Sequence, residues 1–288
     1  MLILAQSTKE IKSRIKGVSS TRQITKAMEL VSSSKLKRAR RSLEESRPYY
    51  NTVLENIQDI LAFEKNLRHP LLDNREIKNS LYIVLTADRG LAGGYNSSIM
   101  RLVEDTIREK GNDSKLITIG TKARDYFTRR DYDVAQSFIG ISEDPDFYHA
   151  KRIGEKALEL YKEKQVDEIN VVYTRFTSTI SQEAKILKLL PSAEVEKESG
   201  NKRVVVEFEP SAEDVLSYLI PKYVESSIYG ALIEASASEQ AARRLAMDAA
   251  TENADEIIED LEVSFNRARQ AAITMEISEI VSGADALK

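Results

Sequence analysis

Between a short apolar run and a helix-like stretch the chain reads Asp88-Arg89-Gly90-Leu91-Ala92-Gly93-Gly94-Tyr95-Asn96. A glycine-rich loop in that position is where α/β folds often cradle a phosphate against a helix N-terminus. This loop fits neither GxGxxG nor GxxxxGK(S/T), and no lysine opens the following helix to meet a phosphate. Glycines that make a tight turn are the better account. The only histidines, His69 and His149, stand in no metal-like spacing, and there is no cysteine. Thiol nucleophiles, thiolate metal sites and disulfides are thereby excluded. With no GxSxG either, the chain is poorly equipped for nucleophilic catalysis, and no catalytic, cofactor or metal site is expected.

A second candidate for chemistry is the basic cluster Lys35, Lys37, Arg38, Arg40 and Arg41, which could meet nucleic-acid phosphates. No aromatic side chains are interleaved with it to stack on bases. It also belongs to a strongly polarised chain. The first 47 residues hold twelve Lys or Arg against four Glu, a net +8, whereas residues 211–288 hold six basic and fifteen acidic residues, a net −9. The 288-residue chain as a whole carries −4. Opposite charges at the two ends favour pairing of those ends rather than binding of an outside polyanion.

Both ends read as long helices. From Ser211 to Ala286 there is one proline, Pro221, and a Ser211/Asp214 pair resembling a capping box opens the stretch. Pro221 is expected to kink or restart the helix. Beyond it Val224, Ile228, Ala231, Ala235, Ser238, Ala242, Leu245 and Ala249 alternate at four and three, a coiled-coil seam. After a slip in phase it resumes through Ile258, Leu261, Phe265, Ala268, Ala272 and Met275. The first arm, about Ile3 to Asn56, shows Ile11, Ile15 and Val18, a break at 19–22, then Ile24, Met28, Val31, Leu36, Ala39 and Leu43. Paired antiparallel, the second arm is expected to exceed the first by ~20 residues, ~30 Å at 1.5 Å per residue. Its tip, Ala271–Leu287, is apolar around the whole helix and needs something surrounding it.

Between the arms the period changes. Short apolar runs at 80–86, 115–120 and 168–173 alternate with helical stretches at 97–110, 121–130 and 147–164, the pattern of a small doubly wound parallel sheet. Runs at 184–190 and 202–208, around a polar hairpin-like stretch at 192–201, read as edge strands. The expected fold is thus α/β: a Rossmann-like sheet domain inserted between N- and C-terminal helices that form an antiparallel coiled coil. The division is 1–60, 61–210 and 211–288. No run approaches the ~18 apolar residues of a membrane span and Met1–Gln6 is too short for a secretory signal, so the protein is expected inside the cell or peripheral to a membrane assembly.

Four blocks carry a resemblance: IKSRIKGVSSTRQITKAMELVSSSKLKRAR in the first arm, TADRGLAGGYN in the body, SEQAARRLAMDAATENA in the second arm and ITMEISEIVSGADA at the end. In order and in place they resemble the γ-subunit family of F-type ATP synthases, and the match spans the chain. The resemblance implies a central rotor shaft without bond chemistry of its own. Its helices stand inside three α and three β subunits, and its base sits on a membrane ring of c subunits beside an ε subunit. Ion flow, H⁺ or Na⁺, turns the shaft and drives the β sites through their states. It also implies a peripheral place at the cytoplasmic face of the cell membrane, or the matrix or stromal equivalent. The alternative is a coiled-coil scaffold that binds nucleic acid or a nucleotide through its body.

The resemblance further implies partner-contact residues. Met28 and Lys35 match first-arm positions near the β subunits, and Asp88 and Arg89 a loop that approaches β. Arg243 matches an arginine of the coupling region, and Arg269, Gln270, Thr274 and Glu276 positions that meet β catch loops or the surrounding bearing. Glu209 matches a carboxylate near the c ring. Val206 stands where some relatives have tyrosine and Ala92 where others have cysteine.

Overall fold

The computed structural model describes residues 2–63, 69, 71, 76–191, 209 and 211–285, with only the backbone described at 2–7, 47, 62–63 and 283–285. The candidate strand at 202–208, the stretch 192–201 and Val206 lie outside the described residues. The chain divides into two compact units, Ser32–Arg243 and the pair of segments Met1–Val31 and Arg244–Lys288. Two helices, α1 (Leu2–Phe63) and, last in the chain, α5 (Ala212–Asp285), contribute to both.

In the larger unit β1 (Asn79–Leu85), α2 (Tyr95–Lys110), β2 (Asp113–Ile119), α3 (Thr121–Thr128), β3 (Asp133–Phe138), α4 (Phe147–Lys162), β4 (Glu168–Phe176) and β5 (Gln182–Leu190) follow α1. The sheet order is β3-β2-β1-β4-β5, parallel except for the antiparallel edge strand β5. Alternation along β1 explains the layers, because a strand sends successive side chains to opposite faces. Leu81, Ile83 and Leu85 join a core with Val53 and Ile57 of α1, Ile153 of α4 and Tyr223 and Ile228 of α5. Tyr82 and Val84 face Ile99 and Val103 of α2 and Phe127 of α3. Sequence reading missed β3, whose segment DVAQSF has a single fully buried position and the half-polar pattern of an edge.

Both long helices are continuous, so Pro221 does not restart α5. α1 runs through residues 19–22 and Pro48, and α5 through Pro221. An interior proline costs ~3 kcal/mol. Around Pro221 the buried Leu216, Ile220, Tyr223 and Val224 bury enough apolar surface to offset it. The Ser211 hydroxyl does cap Asp214 N–H at 3.1 Å, but the Asp214 carboxylate accepts from that hydroxyl rather than from a backbone N–H. Between 223 and 241 all but Tyr229, Gly230 and Glu234 are buried, so this part of α5 is enclosed by the body instead of showing one seam.

The smaller unit is a two-helix coiled coil. Thr25 Oγ1 lies 2.8 Å from Thr251 Oγ1, and Arg22 pairs with Asp255, which makes the helices antiparallel. From Thr251 onward the covered positions are Thr251, Ala254, Ile258, Leu261, Phe265, Ala268 and Ala272, spaced three and four without a slip. The expected slip arose because Thr251 holds a seam position that an apolar template skips. For the same reason Thr25 is buried and Ile24 and Val31, expected inside, are 58 % and 55 % exposed. Ala249 is exposed as well. The two helices have 62 and 74 residues, so the excess of α5 is 12 rather than ~20, ~18 Å at 1.5 Å per residue. The difference arises because α1 continues to Phe63, with Val53, Ile57 and Ile60 in the core.

Candidate functional site

Open parallel sheets bind ligands in the crevice at the carboxyl ends of their strands, where the strand order reverses. Here that crevice lies beside β1, which continues to β2 on one side and neighbours β4 on the other. It is filled by α5. Ser238 Oγ donates to the Thr174 carbonyl near the end of β4 (2.9 Å), and Tyr95 Oη donates to the Ala235 carbonyl (3.2 Å). An Nη2–H of Arg243 donates to the Gly90 carbonyl (3.4 Å). The glycine-rich loop therefore receives a helix of its own chain where a nucleotide fold receives a ligand.

The neighbouring helix N-terminus is occupied too. Asp88 Oδ1 accepts from the N–H and hydroxyl of Thr121, which opens α3, at 3.0 and 3.1 Å. Its Oδ2 accepts from the Ser142 hydroxyl at 3.0 Å and from Ser142 N–H at 3.3 Å. Burial pushes the Asp88 carboxyl up, but the N–H groups of Gly140, Ser142 and Thr121 with the Ser142 hydroxyl outweigh it and hold it below the usual range. A carboxylate thus fills the site that favours an anion. Gly120 makes the close approach possible: its φ is 87°, and a Cβ there would meet the Thr86 carbonyl oxygen at 2.3 Å.

Around this crevice and the α3 N-terminus, together the crest of the sheet, sits a cluster of charges. Glu239 and Arg243, one turn apart on α5, pair at 2.7 Å with side chains 1 % and 7 % exposed. Burial pushes the Glu239 carboxyl up, Arg243 opposes this, and Glu143 and Asp88 add to it. Burial likewise raises the Tyr95 phenol well above its usual value, with Glu239 adding to the effect. Glu143, between β3 and α4, accepts from Lys35 of α1 at 2.6 Å and lies 3.8 Å from Arg89. The Lys35 hydrogen bond, helped by Arg89 and Arg243, holds its carboxyl low against burial. The Glu143 carbonyl also accepts from Ser236 Oγ of α5 (3.2 Å). What this arrangement can do is mechanical: it ties α1, α5 and three loops of the sheet together.

Of the residues singled out from sequence, Lys35, Asp88, Arg89 and Arg243 come together in this cluster. Glu209 is exposed. Met28 is half-buried in the coiled coil, whereas Arg269, Gln270, Thr274 and Glu276 are exposed, with the Thr274 hydroxyl donating to the Gln270 carbonyl at 2.9 Å. Sequence reasoning missed Glu239, Glu143, Thr121 and Ser142. Glu239 could have been found, since Glu four residues before Arg on a helix is a pair by spacing; the others carry no local signal. Both histidines are structural. His149 completes a capping box with Asp146, and buried His69 bonds Ser217 at 3.0 Å. Among the described residues no group of His, Cys, Asp or Glu could hold a metal ion.

Comparison with known proteins agrees with this arrangement of elements. A family model described as ATP synthase matches residues 7–287. The ATP synthase gamma chain of Alkaliphilus metalliredigens is 51 % identical over 287 residues, 97 % of this chain and 98 % of that one. The sodium ion specific gamma chain of Acetobacterium woodii is 44 % identical over 302 residues, covering 99 % and 100 %. A chain from the central stalk and c-ring of the Tetrahymena thermophila mitochondrial ATP synthase aligns with a TM-score of 0.61 at 30 % identity, over 79 % of this chain and 99 % of that one. A chain of the Euglena gracilis mitochondrial enzyme shares the fold, with a TM-score of 0.70 at 18 % identity over 98 % and 95 %. The matches run the length of the chain and agree with one another: it belongs to the ATP synthase gamma chain family.

Proposed function

We propose that this chain is the central rotor of its ATP synthase and performs no bond chemistry itself. It couples ion flow through a membrane ring of c subunits to the cycling of catalytic β sites, and runs in reverse when ATP is hydrolysed. The arms 1–60 and 211–288 form the shaft and the body 61–210 its foot. The observation that carries this reading is the outer surface of the coiled coil. Ile24, Leu30 and Val31 of α1 and Ile273, Met275, Ile277, Ile280 and Val281 of α5 are exposed, while the polar Thr25–Thr251 pair is inside. Apolar side chains turned outward on both helices fit a surrounding collar, here three α and three β subunits.

Arg269, Gln270, Thr274 and Glu276 lie on the same stretch of α5, and with Met28 and Arg89 they are the proposed collar contacts. Lys35, Asp88 and Arg243 act through the crest, and Glu209 faces the c ring, with an ε subunit alongside. Among the described residues no helix is long and apolar enough to cross a membrane. In this reading the chain lies peripherally, on the face where the catalytic subunits sit. Arg269→Ala combined with Gln270→Ala is expected to lower ATP-driven ion pumping in the assembled complex. Normal assembly with unchanged pumping per ATP hydrolysed would remove those two residues from the account.

A further inference from the structure

A cavity of about 560 Å³ opens in the larger unit between α1, the start of α4, α5 and the β4–β5 edge, within the ~300–1,000 Å³ range of small-molecule sites. Its floor is held open by α5. A Cβ built on Gly230 meets nothing within 4 Å, and Ser226 and Ser227 turn their hydroxyls back onto carbonyls of the preceding turn. One wall is aromatic: Phe147 stands edge-on to Tyr49 and Tyr229, with ring centroids 6.4 and 5.6 Å away. The opposite wall carries Arg175 of β4 and Lys185 of β5, both exposed and neither with an acidic partner among the described residues. Glu234, which also lines the cavity, is engaged by Phe176 N–H at 3.1 Å.

The two walls differ in charge. The acids that act on Tyr229, besides its burial, are Asp146, Glu45 and Asp144, so negative charge gathers at the aromatic end, whereas at the sheet end Arg175 and Lys185 outnumber Glu234 and leave a net positive charge. A ligand charged along its whole length would meet repulsion at one wall, whereas one that is apolar at one end and anionic at the other satisfies both. Perpendicular rings leave a slot that takes a flat ring edge-to-face, and an arginine meets a carboxylate through paired N–H donors. We propose that this cavity binds a small aromatic carboxylate, with its ring against Phe147, Tyr49 and Tyr229 and its carboxylate at Arg175 and Lys185. The site is independent of the rotor reading.

The test uses the assembled ATP synthase complex that contains this chain and 4-benzoylbenzoate, a photoactivatable diaryl carboxylate, with labelled peptides mapped by mass spectrometry. Saturable labelling of the peptides holding Tyr49 and Tyr229 is expected. It should fall about tenfold when Gly230→Leu fills the floor and again about tenfold in Arg175→Gln/Lys185→Gln, the effect of losing one good contact. ATP hydrolysis by each variant complex reports that it has assembled. Absence of saturable labelling in the complex, including the case where the isolated chain is labelled and the complex is not, overturns the proposal, as does equal labelling of the wild type and both variants.

Discussion

Arg243 reaches two groups at once: it pairs with Glu239 at 2.7 Å and donates to the Gly90 carbonyl at 3.4 Å, so one guanidinium joins the core of α5 to the glycine-rich loop. Removing it strands a buried carboxylate. Arg243→Ala is expected to destabilise by about 3–5 kcal/mol, the cost of breaking a buried pair from one side. Denaturant unfolding measures this, and a loss no larger than that of an exposed arginine would contradict the role given to the pair.

The same cluster predicts two opposite responses to pH. Glu239 has its folded pKa raised above the ordinary 4.5. Its contribution is therefore complete below that value and lost as pH rises through the shifted pKa, because the native state holds a proton that the unfolded state has released. Glu239→Gln should flatten the decline of stability with rising pH above about 4.5.

Asp88 has its folded pKa lowered below the ordinary 3.8. Its stabilisation is present above that value and lost as pH falls through the lower one. Asp88→Ala should cost about 2 kcal/mol at neutral pH, for a lost helix cap and unpaired donors on Ser142. The difference between variant and wild type should shrink as pH falls below the ordinary 3.8 and through the lowered value, where the wild-type carboxylate protonates. Unfolding curves across pH separate the two carboxylates by the sign of their slopes.

Thr25 and Thr251 form a chain of hydroxyls across the coiled coil, with Thr251 also 2.8 Å from the Met247 carbonyl and Thr25 3.0 Å from the Arg22 carbonyl. Thr25→Val alone should cost about 1 kcal/mol, whereas replacing both by valine should cost little more or restore stability, since neither side then buries an unmet polar group. A double-mutant cycle checks this, and strict additivity would show that the pair does not interact.

Glycine substitutions should divide by position. Gly120→Ala places a Cβ against the Thr86 carbonyl at positive φ and should destabilise by about 3 kcal/mol or more. Gly230→Ala is unobstructed on a helix and should stabilise by up to about 1 kcal/mol. Thermal melts of the two variants should move in opposite directions.

Periodicity made both long helices, the central strands and the helices between them legible, because each is a local pattern of apolar side chains. The coiled-coil phase was only half legible. Thr25 and Thr251 are polar and 226 positions apart, so their place inside follows only from each other. The strand β3 escaped because it sits at an edge with little to bury. The crest was legible as a glycine-rich loop but not as a site filled by its own chain, since Asp88 meets Thr121 and Ser142 33 and 54 positions away. No window on the sequence spans such distances. Resemblance supplied the family, and the structure supplied the side chains that tie α1 and α5 to the loops of the sheet.

The central claim is that this chain turns inside its partners. It has no cysteine, so a single Ile180→Cys at the exposed turn between β4 and β5, where the native side chain is 78 % exposed, takes one label. With the α and β subunits fixed to a surface and ATP supplied, single-molecule imaging of a bead on that label should show sustained rotation in one direction that stops when ATP is withdrawn. ATP turnover with a bead that stays still, or wanders in both directions, would contradict the account.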